Sequence, residues 1–167
     1  MTTSLLRLWL ACALLSLFAS GCVSVNIGGN KAERSKGVRV SVPAAPYEEI
    51  GGSKADGAWK NPANGNSISY LSTCNDPADP SLENATNELF SDLKNMVVKR
   101  QLTTTFNGRE ALDTEVDGKI EGLLTRVRAM VFKKNGCLYT ISHVGMAAKF
   151  EEDRPKFEEF LKGFEAP

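Results

Sequence analysis

Residues 101–144 read QLTTTFNGREALDTEVDGKIEGLLTRVRAMVFKKNGCLYTISHV, and their punctuation decides the fold. Gln101 to Phe106 is rich in β-branched and aromatic residues and ends at Asn107-Gly108. Glu110 to Val116 alternates through Leu112, Thr114 and Val116 and ends at Asp117-Gly118. Ile120 to Phe132 alternates through Leu123, Thr125, Val127, Ala129 and Val131 and is followed by Asn135-Gly136, after which Leu138 to Val144 closes the series. Period-2 alternation marks half-buried strands. Asn-Gly and Asp-Gly accept the two positive-φ positions of a type I′ turn at little cost, so each dipeptide predicts a tight hairpin. The stretch therefore predicts an antiparallel meander of four strands.

Working outward, Val38, Val40 and Val42 alternate with polar residues and predict an opening strand ended by Pro43 and Pro46. Ser67 to Cys74 predicts a further strand beyond the turn-rich Asn61–Asn66 segment. Asp79-Pro80-Ser81 suits a helix start. Leu82, Ala85, Leu89, Leu93, Met96 and Val97 then form one helical stripe, which predicts a long helix. At the far end, Asp153 is placed to cap and Pro155 to sit in a first turn. Phe157, Phe160, Leu161 and Phe164 fall at i, i+3, i+4 and i+7, so a closing helix should pack across the sheet. The fold class is α+β, an antiparallel hairpin meander packed with helices.

The chain has 167 residues, with 20 Lys+Arg against 20 Asp+Glu, and is 42% hydrophobic. That length fits one domain, and the apolar fraction is enough for a core. A balanced charge argues against a dedicated nucleic-acid partner. A single histidine, His143, leaves little room for histidine-based catalysis or a multi-histidine metal site. No nucleophile elbow, P-loop, dinucleotide fingerprint or Cys-x-x-Cys is present. The expectation is a protein that is not an enzyme and needs no metal or other cofactor.

Leu8 to Gly21 is uncharged and mostly apolar, follows Arg7 and ends in small residues. This is too short to span a bilayer and has the layout of an export signal. Phe18-Ala19-Ser20-Gly21-Cys22 resembles the lipobox of bacterial lipoprotein precursors. The resemblance implies cleavage before Cys22, a diacylglyceryl thioether on Cys22 and acylation of the new terminus. Ordinary cleavage with release is the rival reading. By resemblance to lipoprotein sorting in enteric bacteria, where an aspartate after the cysteine signals retention at the inner membrane, Val23 implies an outer-membrane anchor with the domain facing the periplasm. The expected organisation is residues 1–21 as signal, 22–37 as lipidated cysteine and tether, and 38–167 as one domain.

In order and punctuation that domain resembles the PsbP-like fold: an opening strand, a second strand, a helix, the hairpins with Asn135-Gly136-Cys137-Leu138-Tyr139-Thr140-Ile141, and the closing helix over Phe157 to Phe164. That fold hosts unrelated roles in assembly, binding and stabilisation of complexes, so the resemblance transfers little function and brings no catalytic set with it. Two functions follow as expectations. The first is a lipid-anchored envelope module that binds an envelope protein. The alternative is a small-ligand or lipid carrier with a pocket between sheet and helices, with a hydrolase less favoured.

Several residues are candidate sites. Cys74 and Cys137 remain after Cys12 and Cys22 are accounted for. In an oxidising compartment a disulfide between them is favoured over two buried thiols. Asp113-Thr114-Glu115-Val116-Asp117-Gly118 mimics part of a calcium loop, but Leu124 stands where a bidentate Glu is needed, so a solvated strand is favoured. Arg126 and Arg128 share a strand side and could hold an anion, though a solvated face is the plainer reading. His143 is expected to be packed or surface-lying. Glu151-Glu152-Asp153 is expected to charge a helix start.

Overall fold

The structure, a computed structural model, describes residues 33–167. The expected signal segment, Cys22 and the start of the tether lie outside the described residues. Domain contacts reach back to Glu33, which exchanges backbone hydrogen bonds with Cys74, and Ser35, whose hydroxyl is 2.7 Å from that of Tyr139.

Three two-residue turns build the sheet. Asn107-Gly108, Glu121-Gly122 and Asn135-Gly136 each carry two positive φ values, 51° and 73°, 50° and 86°, and 50° and 75°. They connect β4 (Lys94–Phe106), β5 (Arg109–Ile120), β6 (Leu123–Lys134) and β7 (Cys137–Met146). The sheet is completed by β1 (Glu48–Glu49), β2 (Gly57–Lys60) and β3 (Ser67–Cys74), in the order β1-β2-β3-β7-β6-β5-β4, with every neighbouring pair antiparallel.

The middle turn corrects the sequence reading. Asp117-Gly118 lies inside β5, not at a bend. Asp117 faces Arg126 across the ladder, and Gly118 is overlaid by Leu93, whose Cβ would stand 2.9 Å from any Cβ placed there. Glycine is needed at that point for close packing. The true turn uses Glu121 at φ 50°, a costly conformation for a residue with a long side chain. Glu121→Asn should therefore raise stability by about 0.5–1 kcal/mol. A urea midpoint equal to or below that of the parent would contradict this.

The long helix is also shorter than its stripe suggests. Helix α1 covers Leu82–Leu89, with the Ser81 hydroxyl accepting from the Asn84 N–H at 3.2 Å. Asn84, Thr86 and Asn87 weaken it, and the chain breaks at Phe90 into β4. Met96 and Val97 thus belong to a strand, where β-branched Val97 and Val98 fit better than on a helix. Residues 38–42 form no strand of the sheet. Arg39 alone makes an antiparallel bridge, to Glu165. Val38 and Val40 pack on the core, while Val42 is exposed.

The sheet buries both faces. On one, Ala85 and Phe90 from the α1 region pack on Val116, Val127, Ala129 and Val131. On the other, helix α2 (Arg154–Lys162), entered through a 3-10 turn (Phe150–Asp153), seats Phe157, Phe160 and Leu161 on Trp59, Phe132, Tyr139 and Ile141. Phe164 completes this aromatic layer. The tail is held in turn: Asn107 donates to the Phe164 carbonyl and accepts from the Ala166 N–H, and Lys134 donates to the Ala166 carbonyl.

Candidate functional site

The charged residues picked out in sequence meet in one cluster under the closing helix. The β5–β6 register sets Glu115 opposite Arg128 and Asp117 opposite Arg126. Arg128 donates to both Asp113 oxygens at 2.9 and 3.0 Å and also to Glu158. Arg126 holds Asp117 at 2.7 and 2.9 Å and Glu151 at 3.0 Å. Arg154 reaches Glu115 at 2.9 Å and Glu151 at 2.7 Å. The guanidinium carbons of Arg126 and Arg154 lie over the Phe150 ring, and that of Arg128 over Phe157. The face expected to be solvated is therefore covered, with Arg128 and Asp113 each 5% exposed. The carboxylates of the calcium-like segment are engaged by arginines, and no cluster of metal-ligating side chains occurs among the described residues. Hydrogen bonding from Arg126 lowers the Asp117 carboxyl, and the Arg154 hydrogen bond brings Glu151 down to about 2. With their donors engaged, these arginines clamp β5, β6 and the closing helix together and hold no open anion site.

His143 lies beside this cluster, fully buried, its ring 4.1 Å from that of Phe150 and 5.3 Å from that of Phe157. Neither ring nitrogen has a hydrogen-bond partner. Burial brings its pKa down to about 4. The unfolded histidine, near 6.5, takes a proton that the folded one refuses. Its contribution to stability is therefore complete above pH 6.5 and is lost as pH falls towards 4, by up to about 3 kcal/mol. His143→Leu should remove that part of the acid slope and raise stability at pH 5 by about 1–3 kcal/mol, because no buried ring nitrogen is left unpaired. An unchanged stability–pH profile from 4 to 7 would refute it.

Asp153 is not the expected helix cap, since its side chain makes no cap bond. It instead accepts amide hydrogens from Asn61, Asn64 and Asn66 at 3.0, 2.8 and 3.0 Å. Burial raises its carboxyl, but these amide hydrogen bonds outweigh that and keep it low. The residue thus pins the β2–β3 loop to the closing helix. Cys74 and Cys137 stand directly opposite in β3 and β7, with Cα atoms 3.9 Å apart, and are joined as a disulfide.

The space between sheet and closing helix, where a carrier pocket was expected, is filled by Phe132, Tyr139, Phe157, Phe160 and Phe164. Open grooves lie elsewhere. One of about 520 Å³ borders the disulfide and is lined by Asn75, Asp79, Arg109, Lys133 and Asn135 among others. Lys133 is paired with Asp79 there. A second, of about 370 Å³, shares Thr73, Asp76, Pro80 and Leu138 with it and continues past α1 to Leu71 and Thr140.

The most unusual surface is β4. It is the outermost strand, 13 residues long, and 12 of its positions are exposed. Helix α1 packs chiefly over β5 and β6. Met96, Val97, Val98 and Leu102 are 43–57% exposed along it. Ile120, Leu123, Leu124 and Met146 extend this apolar surface at the neighbouring sheet end. Exposed edges of this kind are normally short, charged or covered. The strand was missed in sequence over its first half, although the Val97-Val98 and Thr103-Thr104-Thr105 runs carry a strand signal.

No known protein-family profile matches the chain, and no curated protein matches it in sequence. Solved structures do match. A cyanobacterial PsbP from Synechocystis sp. PCC 6803 superposes with a TM-score of 0.57 at 13% identity, covering 89% of this chain and 99% of that one. LpqN of Mycobacterium tuberculosis, described as involved in cell envelope biogenesis, superposes with a TM-score of 0.58 at 12% identity, covering 84% and 88%. These likenesses establish a PsbP-like fold for the chain.

Proposed function

We propose that the protein is a lipid-anchored, non-enzymatic binding or assembly module of the bacterial envelope, held by Cys22 on the periplasmic side of the outer membrane. The observation that carries this reading is the uncovered β4 surface. A long outer strand with apolar side chains on view has the makings of an interaction surface. The lipobox-like Phe18–Cys22 segment supports the anchor, because two or more acyl chains hold a protein stably at a bilayer. Among the described residues no helix is long and apolar enough to cross a membrane. The structural likeness to LpqN, a protein of cell envelope biogenesis, agrees with an envelope setting.

The test has two arms. Labelling cells with an alkyne fatty acid should mark the wild-type protein and not Cys22→Ser. A photo-crosslinking residue at Val97 or Leu102 should capture a specific envelope protein, identified by mass spectrometry. An unlabelled wild-type chain would overturn the anchor, and absence of a specific partner under several growth conditions would overturn the binding role.

A further inference from the structure

The outer edge of β4 offers main-chain groups in a fixed pattern. In a two-residue hairpin the residues flanking the turn form a hydrogen-bonded pair, and bonded and non-bonded pairs then alternate along the ladder. Phe106↔Arg109 flanks the Asn107-Gly108 turn, and the register continues unbroken to Arg100↔Glu115. Phe106, Thr104 and Leu102 therefore spend their N–H and C=O groups on β5. Gln101, Thr103 and Thr105 point theirs away from the sheet. This regular stretch is bounded by the register shift at Val98/Arg100, so the free ladder spans Arg100 to Phe106.

The charge on this strand is one-sided. Lys94, Lys99 and Arg100 lie on β4, and it bears no acid. Arg100 is paired with Asp113, whereas Lys94 and Lys99 form no ion pair among the described residues, and neither does Lys119 opposite Lys94. A second copy pairing antiparallel about Thr103 would set Arg100 of one strand opposite Phe106 of the other and bring no acid to Lys94 or Lys99. We infer that β4 accepts an extended acidic segment of another protein as an eighth strand, its backbone completing the ladder at Gln101, Thr103 and Thr105 and its carboxylates meeting Lys94 and Lys99. Apolar side chains alternating with those acids would lie on the opposite face, against Val98, which stands across from Val116 and is about half exposed. Main-chain bonds give such a joint its affinity, and side chains give it preference.

This inference rests on the binding-module reading and names the chemistry of the partner. It is tested with the mature lipidated chain in detergent and fluorescein-labelled peptides of alternating Glu-Val or alternating Lys-Val. The Glu-Val peptide should bind, and binding should slow amide exchange at Gln101, Thr103 and Thr105. Thr103→Pro removes one outward N–H and leaves the β5 ladder intact, so it should weaken binding by about tenfold or more. Lys94→Glu/Lys99→Glu should weaken it comparably and leave the backbone untouched, which keeps the test decisive if the proline variant unfolds. Equal binding of the Lys-Val peptide would remove the charge argument. Equal binding by folded Thr103→Pro would remove strand addition. A dimer abolished by Thr103→Pro would assign the edge to a second copy and overturn the acidic partner. If the peptide fails while a crosslinker on β4 still captures an envelope protein, strand addition falls and the binding-module reading survives.

Discussion

Arg128→Met should destabilise the protein by about 3–5 kcal/mol, because it strips a buried carboxylate of its bidentate partner. Asp113 is 5% exposed, and the Arg128 fork satisfies both of its oxygens. After the substitution Arg100 remains, but its side chain is 44% exposed and makes a single contact. Glu158 loses its partner as well, at lower cost because it is 45% exposed. The methionine also gives up the stacking of the guanidinium on Phe157. The double variant Arg128→Met/Asp113→Leu should recover most of the loss, since an apolar pair of similar volume replaces a buried ion pair with little penalty. Urea denaturation of the four proteins in the cycle measures both. A loss below about 1 kcal/mol for Arg128→Met would show that the clamp carries no weight.

The second large effect belongs to the disulfide. Cys74 and Cys137 are 63 residues apart in sequence, and joining them removes much of the freedom of the unfolded chain. In the chain-entropy account this is worth about 4 kcal/mol. For a domain of this size the double variant Cys74→Ala/Cys137→Ala should melt on the order of 10 °C lower. The wild-type protein should shift as far when reductant is added, and the variant should not respond to it. Calorimetry with and without reductant provides the check. A reductant-insensitive wild-type transition would mean that the bond adds nothing to stability. The bond also fixes the β3–β7 junction, where the two halves of the sheet meet, so its loss should be felt well beyond the two cysteines.

Much of this was legible where local chemistry decides. Asn107-Gly108 and Asn135-Gly136 are turns because their own backbone preferences make them so, and the apolar spacing from Phe157 to Leu161 describes the closing helix, which ends at Lys162, short of Phe164. The reading failed where distant residues decide. With a bend at Asp117-Gly118, Glu115 would face Ile120 and Asp113 would face Gly122. With the bend at Glu121-Gly122, the acids meet Arg126 and Arg128. A four-residue displacement of one turn is thus the difference between a solvated charged strand and a buried clamp. The helical stripe from Leu82 to Val97 misled for a similar reason. Its second half has a β partner in β5 that no local window contains. The uncovered state of β4 depends on where α1 stops, so it too lay beyond local pattern.

The stitched carboxyl-terminal tail bears on the order in which the protein can mature. Phe164 and Ala166 lie in the core, and Glu165 is bridged to Arg39 near the other end of the described chain. Synthesis proceeds from the amino terminus, so a nascent chain holds β1 to β7 without the residues that close one side of the sheet. An aromatic layer lacking Phe164 is a cavity, and a cavity of that size costs several kcal/mol. The aromatic side of the sheet therefore closes only once Phe164 and Ala166 have been made.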